Sequence, residues 1–526
     1  MKRIFLIVLC FLVSAALYSE AEFSGLNLSD SNVLLFRAIT DSPMNGVYST
    51  FFSAHLEPSD ISEHTIRQLS FFPEKVTYLA ETEQLQIQNR FGVFRTENKL
   101  KDMKPVSRFP GYVNGRQIKT GKVDPIVASP DGKYLLYINA DSFNYGELML
   151  YVVAEDKEIT IAENVELSFS GPKAIWAPNS QYFVYCVRNQ LYYYSIDQYE
   201  DNRVFAQKLR HIGEGKISNV SWNQQNNLYY IRESLVYEII SSEFFTRSLY
   251  SELLSIGTII GKIPYIFDSN FDSFWISPNG NRILLNKGGR NLFLYYLGTE
   301  DYVYTGETES LPYLFLPRNT RVKQVAWSKT DIITVLTHSI RDGITRSSIF
   351  RLNPEETDGK MIFFKTSDEN VSDMVLSPDE RRIALILNDR VLIKRYRTWK
   401  DDKTFTHASP LHVVWKSDME LLLSGRYLSE RISINDEHRD IICFSQIEEY
   451  GFSQINGNIQ VKVLGKVYEL VADGSWLEKK ELEIGPAKVY SKDYRVYLEK
   501  APGVSYKNIV MVRDQKRYEG TKALFQ

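Results

Sequence analysis

Apolar runs along this chain are short, rich in aromatic and β-branched residues, and punctuated by clusters of Pro, Asn, Asp, Gly and Ser. That is the pattern of β-strands joined by tight turns. Its clearest instance is Ala128-Ser129-Pro130-Asp131-Gly132-Lys133, which runs into Tyr134-Leu135-Leu136-Tyr137-Ile138. Pro130 presets φ for the first central position of a type I turn, Asp131 bonds its own backbone, and Gly132 supplies a residue able to take φ > 0.

Degraded copies of this turn recur. Aligned on the proline they begin at Pro130, Pro178, Gln224, Pro278, Lys329 and Pro378, with spacings of 48, 46, 54, 51 and 49 residues. Each is preceded by a short strand ending in Trp, Ile or Leu in five of the six. A second strand follows (Tyr134 to Ile138, Tyr182 to Val187, Leu228 to Ile231, Arg282 to Leu285, Ile332 to Leu336, Arg382 to Leu387), and a third comes after a hairpin. A fourth is expected at Ile159 to Ala162, Val204 to Lys208, Thr246 to Tyr250, Tyr302 to Tyr304, Lys360 to Phe364 and Thr404 to His407.

Four antiparallel strands per unit, at a period near 50, is the signature of β-propeller blades. The second and third strands read as near-continuous apolar runs rather than strict alternation, as sheets covered on both faces require. The fold expected is all-β, a propeller of seven or eight four-stranded blades, with eight preferred. Residues 22–124 hold N-terminal strands and the first blade or blades, residues 125–420 the regular repeats, and residues 421–526 the C-terminal blades that close the ring. A separate small β domain at 421–526 is the alternative.

The turn Ser129-Pro130-Asp131-Gly132-Lys133, with an aromatic or aliphatic residue before its sister copies, resembles the repeat of TolB-like propellers and of prolyl-oligopeptidase propellers. The resemblance implies the fold and an exported interaction platform. It does not extend to peptidase chemistry. The chain has no Gly-x-Ser-x-Gly elbow, and Gly451-Phe452-Ser453-Gln454-Ile455 lacks the second glycine.

The N-terminus adds a location. Met1-Lys2-Arg3, the apolar run Ile4 to Leu17 and Ser19-Glu20-Ala21 make a secretory signal peptide, cut after Ala21 and too short for a membrane span. Leu9 stands where a lipobox before Cys10 needs a small residue, so the protein is expected to be periplasmic or secreted and not a lipoprotein. Cleavage lowers 62 basic and 65 acidic residues to 60 and 64, a net charge of −4. That near-balance argues against nucleic acid as a partner. Cys186 and Cys443 remain, each inside an apolar run, and read as free buried thiols rather than a disulfide framework.

Four stretches invite a chemical reading, and each has a plainer one. Asp268-Ser269-Asn270-Phe271-Asp272 spaces oxygens like a calcium loop, but Ser273 and Asn279 stand where glycine and glutamate belong, so an Asx-rich turn is favoured. His407 and His412 flank Pro410 without a third ligand. Asn286-Lys287-Gly288-Gly289-Arg290 lacks phosphate-loop spacing and reads as a hairpin. Tyr192-Tyr193-Tyr194 and Tyr295-Tyr296 could stack on sugars, but strand alternation sends half of each cluster into the core.

No catalytic, cofactor or metal residues are therefore expected. The expected function is a non-catalytic protein-binding platform in a bacterial-type envelope, its partner another envelope protein. The alternative is a carbohydrate- or small-molecule-binding or enzymatic propeller using polar groups in its central channel.

Overall fold

The computed structural model describes the strands and turns between residues 22 and 519. Residues 1–21, which hold the expected signal peptide, lie outside it. So do 58–64, 97–103, 109–126, 141–144, 167–173, 197–206, 209–219, 241–256, 298–313, 316–319, 353–361, 365–369, 501–506, 520–526 and a few shorter stretches.

The described residues form eleven antiparallel sheets, ten of four strands and one of three, each built from strands consecutive in sequence. In chain order sheet I spans residues 22–68, II 75–108, III 127–166, IV 174–208, V 220–262, VI 273–315, VII 320–364, VIII 373–406, IX 410–444, X 449–479 and XI 495–519. The architecture is that of a β-propeller, in which antiparallel meanders stack face to face. The chain divides into two compact units. Unit one holds residues 1–121 and 407–526, and unit two holds residues 122–406.

Unit two contains sheets III to VIII, one for each copy of the proline turn. Alternation along each strand sends successive side chains to opposite neighbours. Phe183 and Tyr185 join Leu136 and Leu148 in a core between sheets III and IV. Tyr182, Val184 and Tyr193 meet Leu228 and Tyr230 between IV and V. Three further cores repeat the scheme, around Ile231 and Phe274, Leu284 and Val335, and Leu336 and Met374. The second strands are mostly apolar because both of their faces are interior.

Unit one is organised around one core shared by its five sheets, including Phe36, Ile87, Phe444, Tyr468, Val496 and Ile509. The Asn32 amide of sheet I donates to Asp493 Oδ2 at 2.8 Å, beside the first strand of sheet XI. The Ser491 hydroxyl donates to Asn32 Oδ1 at 2.6 Å. Sheet XI therefore packs beside sheet I within this unit.

Eleven sheets is more than the seven or eight blades expected. The difference arises where the proline turn fades: residues 410–519 make three sheets and residues 22–108 make two. Two outer strands also fall later than expected, at Thr258–Lys262 and Leu314–Phe315, while residues 246–250 and 302–304 lie outside the described residues. An outer strand pairs with one neighbour only, so its sequence is the least constrained of the four.

Candidate functional site

The first turn of each repeat sets the geometry of unit two. Its fourth residue has positive φ in all six copies: Gly132 70°, Ser180 63°, Asn226 65°, Gly280 78°, Asp331 61° and Glu380 56°. Where that residue has a side chain, the side chain reaches the turn of the preceding sheet. Ser180 Oγ accepts the Asp131 backbone N–H at 3.0 Å, and Asn226 Oδ1 accepts that of Asn179 at 2.8 Å. Asp331 lies 3.1 Å from the Arg282 guanidinium, and the Glu380 carboxylate accepts Lys329 N–H at 2.9 and 3.0 Å. Gly280 has no side chain, and the Tyr229 hydroxyl of sheet V occupies the space a Cβ there would need.

These contacts align all six first turns at one end of the unit. In an antiparallel meander the third-to-fourth hairpins share that end. The second-to-third hairpins and the connectors between sheets then lie at the other.

At that other end the connector from sheet V to sheet VI is tied to a hairpin. Asp272, 7% exposed, accepts Asp268 N–H through Oδ2 at 2.8 Å and Gly288 N–H through Oδ1 at 2.7 Å. Asp268 Oδ1 accepts Asn270 N–H at 2.9 Å. Lys287 Nζ sits 4.4 Å from the Tyr265 ring centroid, and Phe267 meets Phe274 edge to face at 5.9 Å. Burial, with the Asp272 carboxylate adding to it, raises the pKa of the Tyr265 hydroxyl.

The connector so fixed presents Ile266 and Phe271 to solvent, 77% and 69% exposed. On the same end of sheet VII, Ile340 and Ile344 flank a hairpin and are also exposed, as is Tyr145 on sheet III. Large apolar groups held outward on a hydrogen-bonded loop are what a protein interface uses as anchors.

The structure thus joins two stretches singled out in the sequence. Asp268 Oδ1 and both Asp272 oxygens accept backbone N–H groups, and the Gly288 N–H, the candidate phosphate donor, is bonded to Asp272. Among the described residues no His, Cys, Asp and Glu group could hold a metal. His412 Nε2 lies 3.0 Å from the Pro73 carbonyl oxygen. His407 is buried against Gly425, where a Cβ would stand 2.2 Å from its Cε1. Tyr193 and Tyr194 are core residues, Tyr192 stacks on Tyr185 at 5.4 Å, and exposed Tyr296 carries the Arg282 guanidinium 4.8 Å above its ring. Gly451 lies on a strand against Ile484, not on an elbow. Both described cysteines are free.

Buried carboxylates are committed in the same way. Glu469 accepts Asn456 and Asn458 amide groups at 3.1 and 3.2 Å and the Gln460 amide at 2.9 Å. Burial pushes its pKa up, but these donors and Lys479 outweigh burial and hold it below the usual range. Half-buried Glu238 in sheet V repeats the device with Asn227 at 2.8 Å and the Tyr229 hydroxyl. Burial pushes Glu430 up, opposed by Arg439 at 3.3 Å.

No protein-family model matches the chain, and no curated protein matches it in sequence. Solved structures with a similar fold include a eukaryotic initiation factor, 11% identical, with a TM-score of 0.46 over 82% of this chain and 98% of that one. Another is Chaetomium thermophilum Sqt1 bound to the N-terminus of ribosomal protein L10, 12% identical, with a TM-score of 0.43 over 67% of this chain and 96% of that one. A third is the C-terminal WD40 domain of Sif2, 11% identical, with a TM-score of 0.37 over 69% of this chain and 97% of that one.

Proposed function

We propose that the chain is an exported, non-catalytic propeller protein that binds another protein of a bacterial-type cell envelope. The observation that carries this reading is the outward pair Ile266 and Phe271 on a connector fixed by Asp268, Asp272 and Gly288. A solvent-exposed Phe costs hydration free energy unless something covers it, and a pre-ordered loop loses little entropy when it is covered. Export rests on the sequence of residues 1–21. Among the described residues no helix is long and apolar enough to cross a membrane.

The test is affinity capture from envelope extracts with the wild type and with a Phe271→Ser, Ile266→Ser variant. A stoichiometric protein captured by the wild type and lost by the variant supports the reading. Equal capture by both, or a copurifying small molecule in place of a protein, overturns it. N-terminal sequencing of the exported chain should begin at Glu22.

A further inference from the structure

At the end of unit two opposite Phe271, the third-to-fourth hairpin of sheet VIII carries Arg395-Tyr396-Arg397-Thr398-Trp399-Lys400. Tyr396 is its anchor: 1% exposed, its hydroxyl lies 2.9 Å from Thr334 Oγ1 and donates to the Ile332 carbonyl at 3.2 Å. The Tyr396 N–H donates to Arg381 O at 2.7 Å, and the Arg351 guanidinium donates to Arg397 O at 2.6 Å. With its backbone held on three sides, the hairpin presents Arg395, Arg397 and Lys400 to solvent, beside the exposed Arg381 of the first turn.

The acids around it are already engaged. Asp402 holds Arg382 at 2.7 Å and Arg395 at 3.3 Å, Asp401 holds Lys394, and Asp379 lies 3.8 Å from Arg381. Arg397 and Lys400 are left as surplus cations. Between them Trp399, half-buried, adopts φ 58°, a conformation that disfavours a bulky residue.

We infer that this hairpin is a docking point for an acidic segment of a protein chain that carries an aromatic or apolar side chain. A guanidinium matches a carboxylate through two parallel hydrogen bonds, and the half-buried Trp399 ring, which packs on the core and has Lys394 Nζ 5.9 Å from its centroid, exposes only part of its surface beside it. The surplus charge is confined to one hairpin and bordered by Asp379, Asp401 and Asp402. Two surplus cations neutralise too few phosphates or headgroups to hold duplex DNA or an anionic bilayer, whereas they are enough for a short acidic segment. The surface is separate from Ile266 and Phe271, so either can fail without the other.

Fluorescence anisotropy of a labelled Glu-Glu-Phe-Glu-Glu peptide with the full chain tests this. Binding should weaken as salt is added. It should fall about tenfold or more in an Arg397→Glu, Lys400→Glu variant, as for two lost charge-assisted contacts, and stay unchanged in Lys480→Glu, an exposed lysine of unit one. Trp399→Gly should also weaken binding; because the half-buried ring packs on the core of sheets VII and VIII, its thermal midpoint should fall too, so binding is compared well below that midpoint. Unchanged affinity in the double variant overturns the inference. Tighter binding to phosphatidylglycerol vesicles or duplex DNA than to the peptide overturns the choice of partner.

Discussion

The Asp131 backbone N–H donates across a sheet boundary to Ser180 Oγ at 3.0 Å, and the accepting serine has a φ of 63°. One residue therefore combines a strained backbone with the hydrogen bond that aligns two sheets. Ser180→Ala keeps the strain and loses the bond, and should destabilise unit two by about 1 kcal/mol. Ser180→Gly loses the bond but relieves the backbone, so it should be nearly neutral. Urea midpoints of the two variants decide between these contributions, and equal losses would contradict the assignment.

The junction of sheets V and VI uses the reverse solution. A Cβ on Gly280 would lie 2.3 Å from the Tyr229 hydroxyl, at a φ of 78°. Gly280→Ala should cost roughly 2–3 kcal/mol from backbone strain and overpacking together. Part of that loss should disappear in a Tyr229→Phe background. A double-mutant cycle on thermal unfolding reads the coupling, and strict additivity would show that the hydroxyl does not hold that space.

His407 predicts an acid-side loss of stability. Burial, reinforced by the Arg439 guanidinium, lowers its pKa from 6.5 to about 4. Between those values the unfolded chain binds a proton that the folded chain refuses, so stability is full above pH 6.5 and falls as pH drops toward 4. The whole shift is worth roughly 3 kcal/mol. The raised carboxyl of Glu430 works in the opposite direction, retaining stability as pH falls. The comparison must therefore be wild type against His407→Leu, in which the His407 share of the slope vanishes. An unchanged pH profile of urea midpoints would rule this out.

Thiol chemistry should follow burial. Cys443 is fully buried, and burial pushes its thiol up to about 12. Iodoacetamide mapped by peptide mass should leave Cys443 unmodified in the folded protein and modify it in guanidinium chloride. No peptide linking Cys186 to Cys443 should appear. Modification in the folded state would mean that sheet IX opens readily.

What could be read in the sequence follows from which interactions are local. Pro130, Asp131 and Gly132 encode a turn within four residues, so all six sheets of unit two were visible from their turns. The latch across sheets left a fainter trace: Ser180, Asn226, Asp331 and Glu380 stand where an isolated turn would prefer glycine. Only their partners in the preceding turn explain them. The Asp272–Gly288 bond joins residues 16 apart that no local pattern links. Sheets X and XI lacked the proline turn, and with it the signal that would have counted them.

The two-part composition of unit one fixes an order of completion during synthesis. Residues 122–406 carry every strand of unit two, so that unit has all its partners once those residues have emerged. Sheets I and II emerge before any of it, yet Leu34 and Phe36 share their core with Val496 and Ile509, and Asn32 waits 461 residues for Asp493. Contacts so distant in sequence close last and at the greatest loop entropy. A premature stop beyond residue 406 would therefore release one finished unit together with an N-terminal segment whose core never arrives.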